Sequence, residues 1–191
     1  MNKYPVWLDC DVGVDDAIAI MALHALENID LLAISTVAGN APLAHTFPNA
    51  HRMNGLMHTN YPVYRGASRP LVAEPLTAGA FHGENGLGNV QLPIPENTVM
   101  NDTPAWDALY DCARAHPGEL RLIATGPMTN VAIALTKHPD LRELLHTILI
   151  MGGAAVGGNT TPAAEFNIYE DPEAAQILFK SGVPIVMCGL D

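Results

Sequence analysis

Short apolar runs and longer amphipathic stretches alternate along the chain. Val6-Trp7-Leu8, the run at 29–37, Leu120-Arg121-Leu122-Ile123-Ala124, Thr147-Ile148-Leu149-Ile150-Met151 and the run at 184–189 carry little polar alternation. Gly, Pro, Asn or Asp bounds most of them, a pattern that predicts strands buried on both faces. Residues 62–66 read as a further short strand and turn. Helices are expected at about 15–26, 42–56 (irregular near Pro48), 102–116, 129–137, 139–145 and 171–182. Asp102-Thr103-Pro104 and Asp171-Pro172-Glu173 each offer a cap followed by an N1 proline, and Gly182 closes the last helix. The first helix contains the almost unbroken apolar run 17–23, so it is expected to be buried.

Strands alternating with helices predict a single α/β domain over 1–191: a mostly parallel, Rossmann-like sheet with helices on both faces. Ligands of such sheets sit beyond the carboxyl ends of the strands. Those ends carry Asp9–Asp16, Gly39-Asn40, Thr125-Gly126, Gly152-Gly153 and Gly189-Leu190-Asp191. Between 67 and 101 the periodicity fades into a Gly- and Pro-rich stretch containing Phe81-His82-Gly83-Glu84-Asn85-Gly86. A loop of that length in a compact domain is usually functional or mobile.

The densest chemistry is Asp9-Cys10-Asp11-Val12-Gly13-Val14-Asp15-Asp16. Asp9 and Asp11 are two apart and share a side of an extended chain. Asp15 and Asp16 fall in the first helical turn, where anions are favoured. Capping that helix takes one carboxylate. Converging carboxylates repel, so protons or a cation must sit among them, and an all-oxygen site selects a hard ion, Ca²⁺ or Mg²⁺. Asp11 and Asp16 are the first choices as ligands, with the Thr125 carbonyl as a further oxygen. A cation beside a carboxylate makes water a ready nucleophile. Asn159, Glu165 and Asn167 suit a polyhydroxylated ligand, although the same residue types also form turns in Gly-rich loops. His82 is placed to act as an acid or to contact a leaving group, and the other seven histidines are expected to serve packing or the surface. Cys10 should face away from its flanking aspartates as a buried thiol.

Composition narrows the classes. Nine Lys plus Arg stand against 20 Asp plus Glu, a net charge of −11, which argues against nucleic acid or anionic membranes as partners. No apolar run is long enough to span a bilayer. Residues 1–5 lead straight into the first strand, so no signal peptide is expected. Cys10, Cys112 and Cys188 read as reduced thiols of a cytoplasmic protein, without zinc spacing.

The chain resembles the inosine-uridine-preferring nucleoside hydrolases. Asp9-Cys10-Asp11-Val12-Gly13-Val14-Asp15-Asp16-Ala17 matches that family's signature, with Val12 where proline is common. In family order follow Val37-Ala38-Gly39-Asn40, His82-Gly83-Glu84-Asn85-Gly86, Thr125-Gly126-Pro127-Met128-Thr129-Asn130, Met151-Gly152-Gly153, Ala164-Glu165-Phe166-Asn167 and Asp171-Pro172-Glu173-Ala174-Ala175. The resemblance implies hydrolysis of ribonucleosides to ribose and free base in nucleotide salvage, with a bound Ca²⁺, by a homo-oligomer (dimer or tetramer). Asp11 would be base and metal ligand, Asp16 a ligand, and Thr125 a ligand through its main-chain carbonyl. Asp15, Asn159, Glu165 and Asn167 would hold the ribose. Asn40 would sit beside base or ribose, and His82 on the leaving-group side. The family pattern continues past Gly189-Leu190-Asp191 and supplies a further metal-ligating Asp, so a truncated chain with an incomplete metal site is expected.

Two other readings compete. A haloacid-dehalogenase-like phosphatase also places Asp-x-Asp after a first strand, but it needs a later Lys, for which Lys137 is a poor candidate, and a later acidic pair. Alternatively, a truncated chain binds calcium or nucleoside and turns nothing over. A dehydrogenase is excluded because no Gly-x-Gly-x-x-Gly follows the first strand.

Overall fold

The computed structural model describes residues 3–76 and 78–191. In chain order they form β1 (Tyr4–Cys10), α1 (Val14–Ala25), β2 (Ile29–Thr36), α2 (Leu43–Met57), β3 (Val63–Arg65), α3 (Gly79–His82) and α4 (Ala105–Ala115). Then follow β4 (Leu120–Ala124), α5 (Thr129–Lys137), α6 (Leu141–Leu144), β5 (Leu145–Met151), α7 (Phe166–Glu170), α8 (Pro172–Phe179) and β6 (Ile185–Cys188).

The strands build one six-stranded sheet in the order β3-β2-β1-β4-β5-β6. Every neighbouring pair is parallel. After β2 and β3 the chain returns to the other side of β1 to lay down β4. That reversal opens a crevice beyond the carboxyl ends of β1 and β4, where ligands of such sheets bind.

Alternation along β1 divides its side chains between two cores. Val6, Leu8 and Cys10 pack with Ile20 of α1 and Phe47 and Met53 of α2. Trp7 faces the opposite way, into the core of Leu122, Ile148, Leu135 and Leu178. There Trp7 stacks on Tyr64 at 5.3 Å, and its Nε1 donates to Ser35 Oγ at 2.7 Å. Strand β1 therefore does what its pattern predicts, whereas β6 does not: Val186, Met187 and Cys188 are exposed.

Several expectations need correction. Helix α1 is not buried: Asp16 and Ile20 are its buried residues, while Ile18 is 61% exposed and Val14 and Met21 are exposed too. A continuous apolar run does not reveal which helical stripe packs. Here Ile20 turns inward, and Val14, Ile18 and Met21, at helical spacing, turn out. On the sheet, Leu149 and Val186 lie in register with Ile123 but belong to neither core. Helix α4 begins at Ala105 with Pro104 as its N-cap and no side-chain cap, so Asp102 and Thr103 lie outside it. The helix expected over 139–145 shrinks to α6, because Leu145 already pairs with Leu120 in the sheet. Helix α8 stops at Phe179, and Gly182, at φ +84°, serves the turn into β6. Helix α2 runs through Pro48. The short helices α3 and α7 were not expected.

This burial pattern gives a paired prediction. Leu122→Ala, in a central strand, should cost about 2–5 kcal/mol of unfolding free energy. Ile18→Ala should stay within about 0.5 kcal/mol. Urea denaturation of the two variants measures both.

Candidate active site

The aspartate stretch straddles the end of β1 and the start of α1. Asp11 lies one residue past the strand, so the two-residue alternation does not carry from Asp9 to it. The four carboxylates consequently do not converge. Asp9 is buried on the Trp7 side, where its Oδ1 accepts from Ser35 Oγ and from Asn130 Nδ2 at 2.8 Å. Asp15 is exposed at the opening of α1, with its Oδ1 3.6 Å from His82 Nδ1. Asp11 and Asp16 remain as a buried pair.

Each oxygen of that pair has a defined environment. Asp11 Oδ2 accepts the Asn40 backbone N–H at 2.5 Å. Asp16 Oδ2 accepts the Gly13 N–H at 2.7 Å, and Asp16 Oδ1 accepts the Thr125 hydroxyl at 2.6 Å. Asp16 thus also ties off the start of α1, the capping role that the sequence allows for one carboxylate. Asp11 Oδ1 is buried and has no partner. Room for Asp11 comes from two strand-end glycines. A Cβ on Gly39 would stand 2.3 Å from Asp11 Oδ2, and one on Gly126 would stand 2.9 Å from Oδ1.

Burial raises the pKa of both Asp11 and Asp16, and the charge of Asp16 raises Asp11 further. Asp9 is pushed up to about 7, chiefly by burial, with the Asn130 and Ser35 hydrogen bonds pulling the other way. Among the described residues, no Lys, Arg or His forms an ion pair with Asp9, Asp11 or Asp16. Nor do three or more acidic, His or Cys side chains group as metal ligands among them. The cluster therefore offers two carboxylates. Cys10 points away into the α1–α2 core, its thiol pushed well up by burial and the neighbouring acids.

The remaining candidates arrive from three loops. Asn40 contributes its N–H to Asp11, and its carbonyl accepts from Ala78. His82 ends α3, and its Nδ1 lies 3.3 Å from the Val14 N–H. Glu165 is buried as the N-cap of α7, accepting from Asn167 N–H at 3.0 Å and Ile168 N–H at 3.3 Å. Its Oε2 also takes the Gly153 N–H at 3.1 Å. Asn167 is buried and donates to the Thr125 carbonyl at 2.9 Å and the Met151 carbonyl at 3.1 Å. Glu165 and Asn167 are thus not solvated turn residues. Asn159 is exposed, and its Oδ1 accepts the Phe166 N–H at 2.9 Å. Asp11, Asp16, Thr125, Asn167 and Glu165 form one connected group. Asp15 and His82 stand together at its rim. Lys137 is engaged elsewhere, 2.7 Å from Asp107 on the surface, which removes the lysine that a phosphatase would need.

A family model described as inosine-uridine preferring nucleoside hydrolase matches residues 6–191. The chain belongs to this nucleoside hydrolase family. A pyrimidine-specific ribonucleoside hydrolase, RihA, of Salmonella arizonae is 47% identical over 188 residues, 98% of this chain and 60% of the relative. Among solved structures, a plant nucleoside hydrolase superposes with a TM-score of 0.92 at 36% identity, covering 98% of this chain and 60% of that one. A purine-preferring ribonucleoside hydrolase from Gardnerella vaginalis gives 0.93 at 34%, covering 97% and 60%. The chain thus spans about 60% of the length of the nucleoside hydrolases it matches. No helix among the described residues is long and apolar enough to cross a membrane.

Sequence reasoning overlooks a partner that sets up this site. Asn130 binds Asp9 from 121 residues away and also reaches the Thr36 carbonyl and the Ala67 N–H. It stands in a stretch matched to the family, but no spacing rule marks it as a partner of Asp9.

A pH prediction follows for chelator-treated protein. Asp9 has a folded pKa above its unfolded value of 3.8, so between about pH 4 and pH 7 the folded state binds more protons. Stability should therefore fall as pH rises through that window, by up to about 4 kcal/mol at ~1.4 kcal/mol per unit. Asp9→Asn should remove the Asp9 share of the slope and leave that of Asp11 and Asp16, which burial also raises. Urea unfolding at pH 4.5, 6 and 7.5 in chelator reads it, and a stability that rises over this range would contradict the assignment.

Proposed function

We propose that this chain carries the catalytic base, the metal-holding oxygens and the ribose grip of a Ca²⁺-dependent ribonucleoside hydrolase. The observation that carries this reading is the orphaned Oδ1 of Asp11, buried beside Asp16 without a cationic partner. Two carboxylates in a dry site need a proton or a cation. The donor set is oxygen only, which suits a hard ion such as Ca²⁺. Asp11, Asp16 and the Thr125 carbonyl would hold it. Bound there, the ion supplies the positive charge that lets both carboxylates ionise and makes nearby water more acidic.

The chain's own residues do the rest. Asp11 takes the proton of the attacking water through its free oxygen. Asp15, Asn159, Glu165 and Asn167 hold the ribose hydroxyls and fix the sugar against that water. As the N-glycosidic bond lengthens, positive charge develops on the ribose, and the acidic pocket stabilises it. Asn40 lies beside the base or ribose, and His82, at the rim, faces the departing base. Water's oxygen ends on the anomeric carbon, and the base leaves with a proton. Uridine and cytidine are the first substrates to offer, since the relative at 47% identity is named as pyrimidine-specific. As a member of the family, the protein would work as a cytoplasmic homo-oligomer in nucleoside salvage.

A second reading has one observation in its favour. Only two acidic side chains stand at the cation position among the described residues. A chain that binds Ca²⁺ and nucleoside without turnover matches that count.

Ribose release from uridine, cytidine, inosine and adenosine, with Ca²⁺ and without phosphate, separates the two readings. Hydrolysis predicts release that stops in excess chelator, and an Asp11→Asn variant that is folded but slower by on the order of 10³-fold. Ca²⁺ binding without ribose release supports the binding-only reading. Near-wild-type turnover by Asp11→Asn would remove Asp11 as the base.

A further inference from the structure

Residues 71–76, between β3 and α3, form neither helix nor strand, and Leu71, Val72 and Leu76 are exposed. Apolar burial therefore does not hold this strap in place. Two buried carboxylates hold it instead. Asp171, the N-cap of α8, accepts the Ala174 N–H at 3.1 Å, and its Oδ2 takes the Thr129 hydroxyl at 2.6 Å and the Leu71 N–H at 3.0 Å. Glu170 is 1% exposed, and the Leu76 N–H points at both of its oxygens, at 3.0 and 3.1 Å.

The two acids differ in one respect. Asp171 is fixed by α8 and α5 whatever the strap does. The Glu170 carboxylate has no hydrogen bond among the described residues other than those from Leu76. Burying a carboxylate for a single backbone N–H is costly. What it adds over a neutral side chain is a charge-assisted, two-oxygen grip.

Glu170 closes the same five-residue helix that Glu165 caps and in which Asn167 stands. Beyond the strap, Ala78 donates to the Asn40 carbonyl, and the Ala78 carbonyl accepts from the Phe81 and His82 N–H groups. Helix α3, with His82 at its end, thus hangs close after the residue that Glu170 grips. We propose that Glu170 is a positioning residue: it ties α7, with the sugar-facing Glu165 and Asn167, to the loop that presents His82, so the two sides of the site are set together. The inference rests on the proposed roles of Glu165, Asn167 and His82.

The test compares the full chain with Glu170→Ala and Glu170→Gln by amide hydrogen exchange without ligand, then by calorimetric titration with ribose in Ca²⁺. In Glu170→Ala, exchange at Leu76 and across 79–88 should rise by on the order of tenfold, while β1 and β4 keep their protection. Glu170→Gln, which retains one acceptor oxygen, should recover part of the loss. Ribose affinity should be unchanged, since Glu165 and Asn167 keep their own ties to Gly153, Thr125 and Met151, while kcat on uridine falls in proportion to the loop's release. Unchanged exchange over 79–88 would overturn the proposal, as would equal loss of protection in β1 and β4, which marks a general structural role. Absence of ribose binding by the wild-type chain would instead count against the proposed function, and the exchange result would still decide the role of Glu170.

Discussion

Asp11 and Asp16 share a buried pocket with no positive side chain among the described residues to offset them, and the site is arranged around that repulsion. In a low-dielectric interior two such groups cannot both ionise unaided. Three donors meet three of their four oxygens: the Asn40 N–H, the Gly13 N–H and the Thr125 hydroxyl. The fourth oxygen, Asp11 Oδ1, is buried and has no partner. Gly39 and Gly126 keep that space clear, because a β-carbon at either position would press on the Asp11 carboxylate. The fold contributes the location, since β1 and β4 are the strands between which the sheet's connectivity reverses.

The other acids are given different work by different surroundings. Asp9 sits two residues from Asp11 but is enclosed by Ser35 of β2 and Asn130 of α5, and Asn130 in turn reaches Ala67 after β3. Asp15 stays in water beside His82. Asp171 and Glu170 gather backbone N–H groups from a strap that has no core of its own. A run that reads as one cluster is therefore a buried pair, a structural tie and an exposed rim residue. Isolated buried acids weaken a fold, and active sites are where proteins retain them.

Most of the architecture was legible because parallel strands covered on both faces leave a plain apolar signature, as in Val6–Leu8 of β1. The grouping of Asp11, Asp16, Thr125 and Asn167 was legible because they fall at strand ends or helix starts, where the topology collects them. Three things were not legible, each for a physical reason. The direction faced by α1 depends on which stripe finds a partner, and Ile18 carries the same apolar signal as Ile20. The divergence of Asp9 from Asp11 depends on β1 ending at Cys10. Asn130 and Glu170 act through contacts 121 and 94 residues away, which no local pattern encodes.

The central claim is that the Asp11–Asp16 pair is a cation site, and Ca²⁺ titration calorimetry of chelator-stripped protein in buffers of different ionisation enthalpy tests it most directly. The account predicts one Ca²⁺ per chain, heat that varies with buffer because the pair gives up a proton as the ion enters, and loss of binding in Asp16→Asn. Ca²⁺ binding of equal strength in Asp16→Asn, or no binding by the wild-type chain, would contradict it.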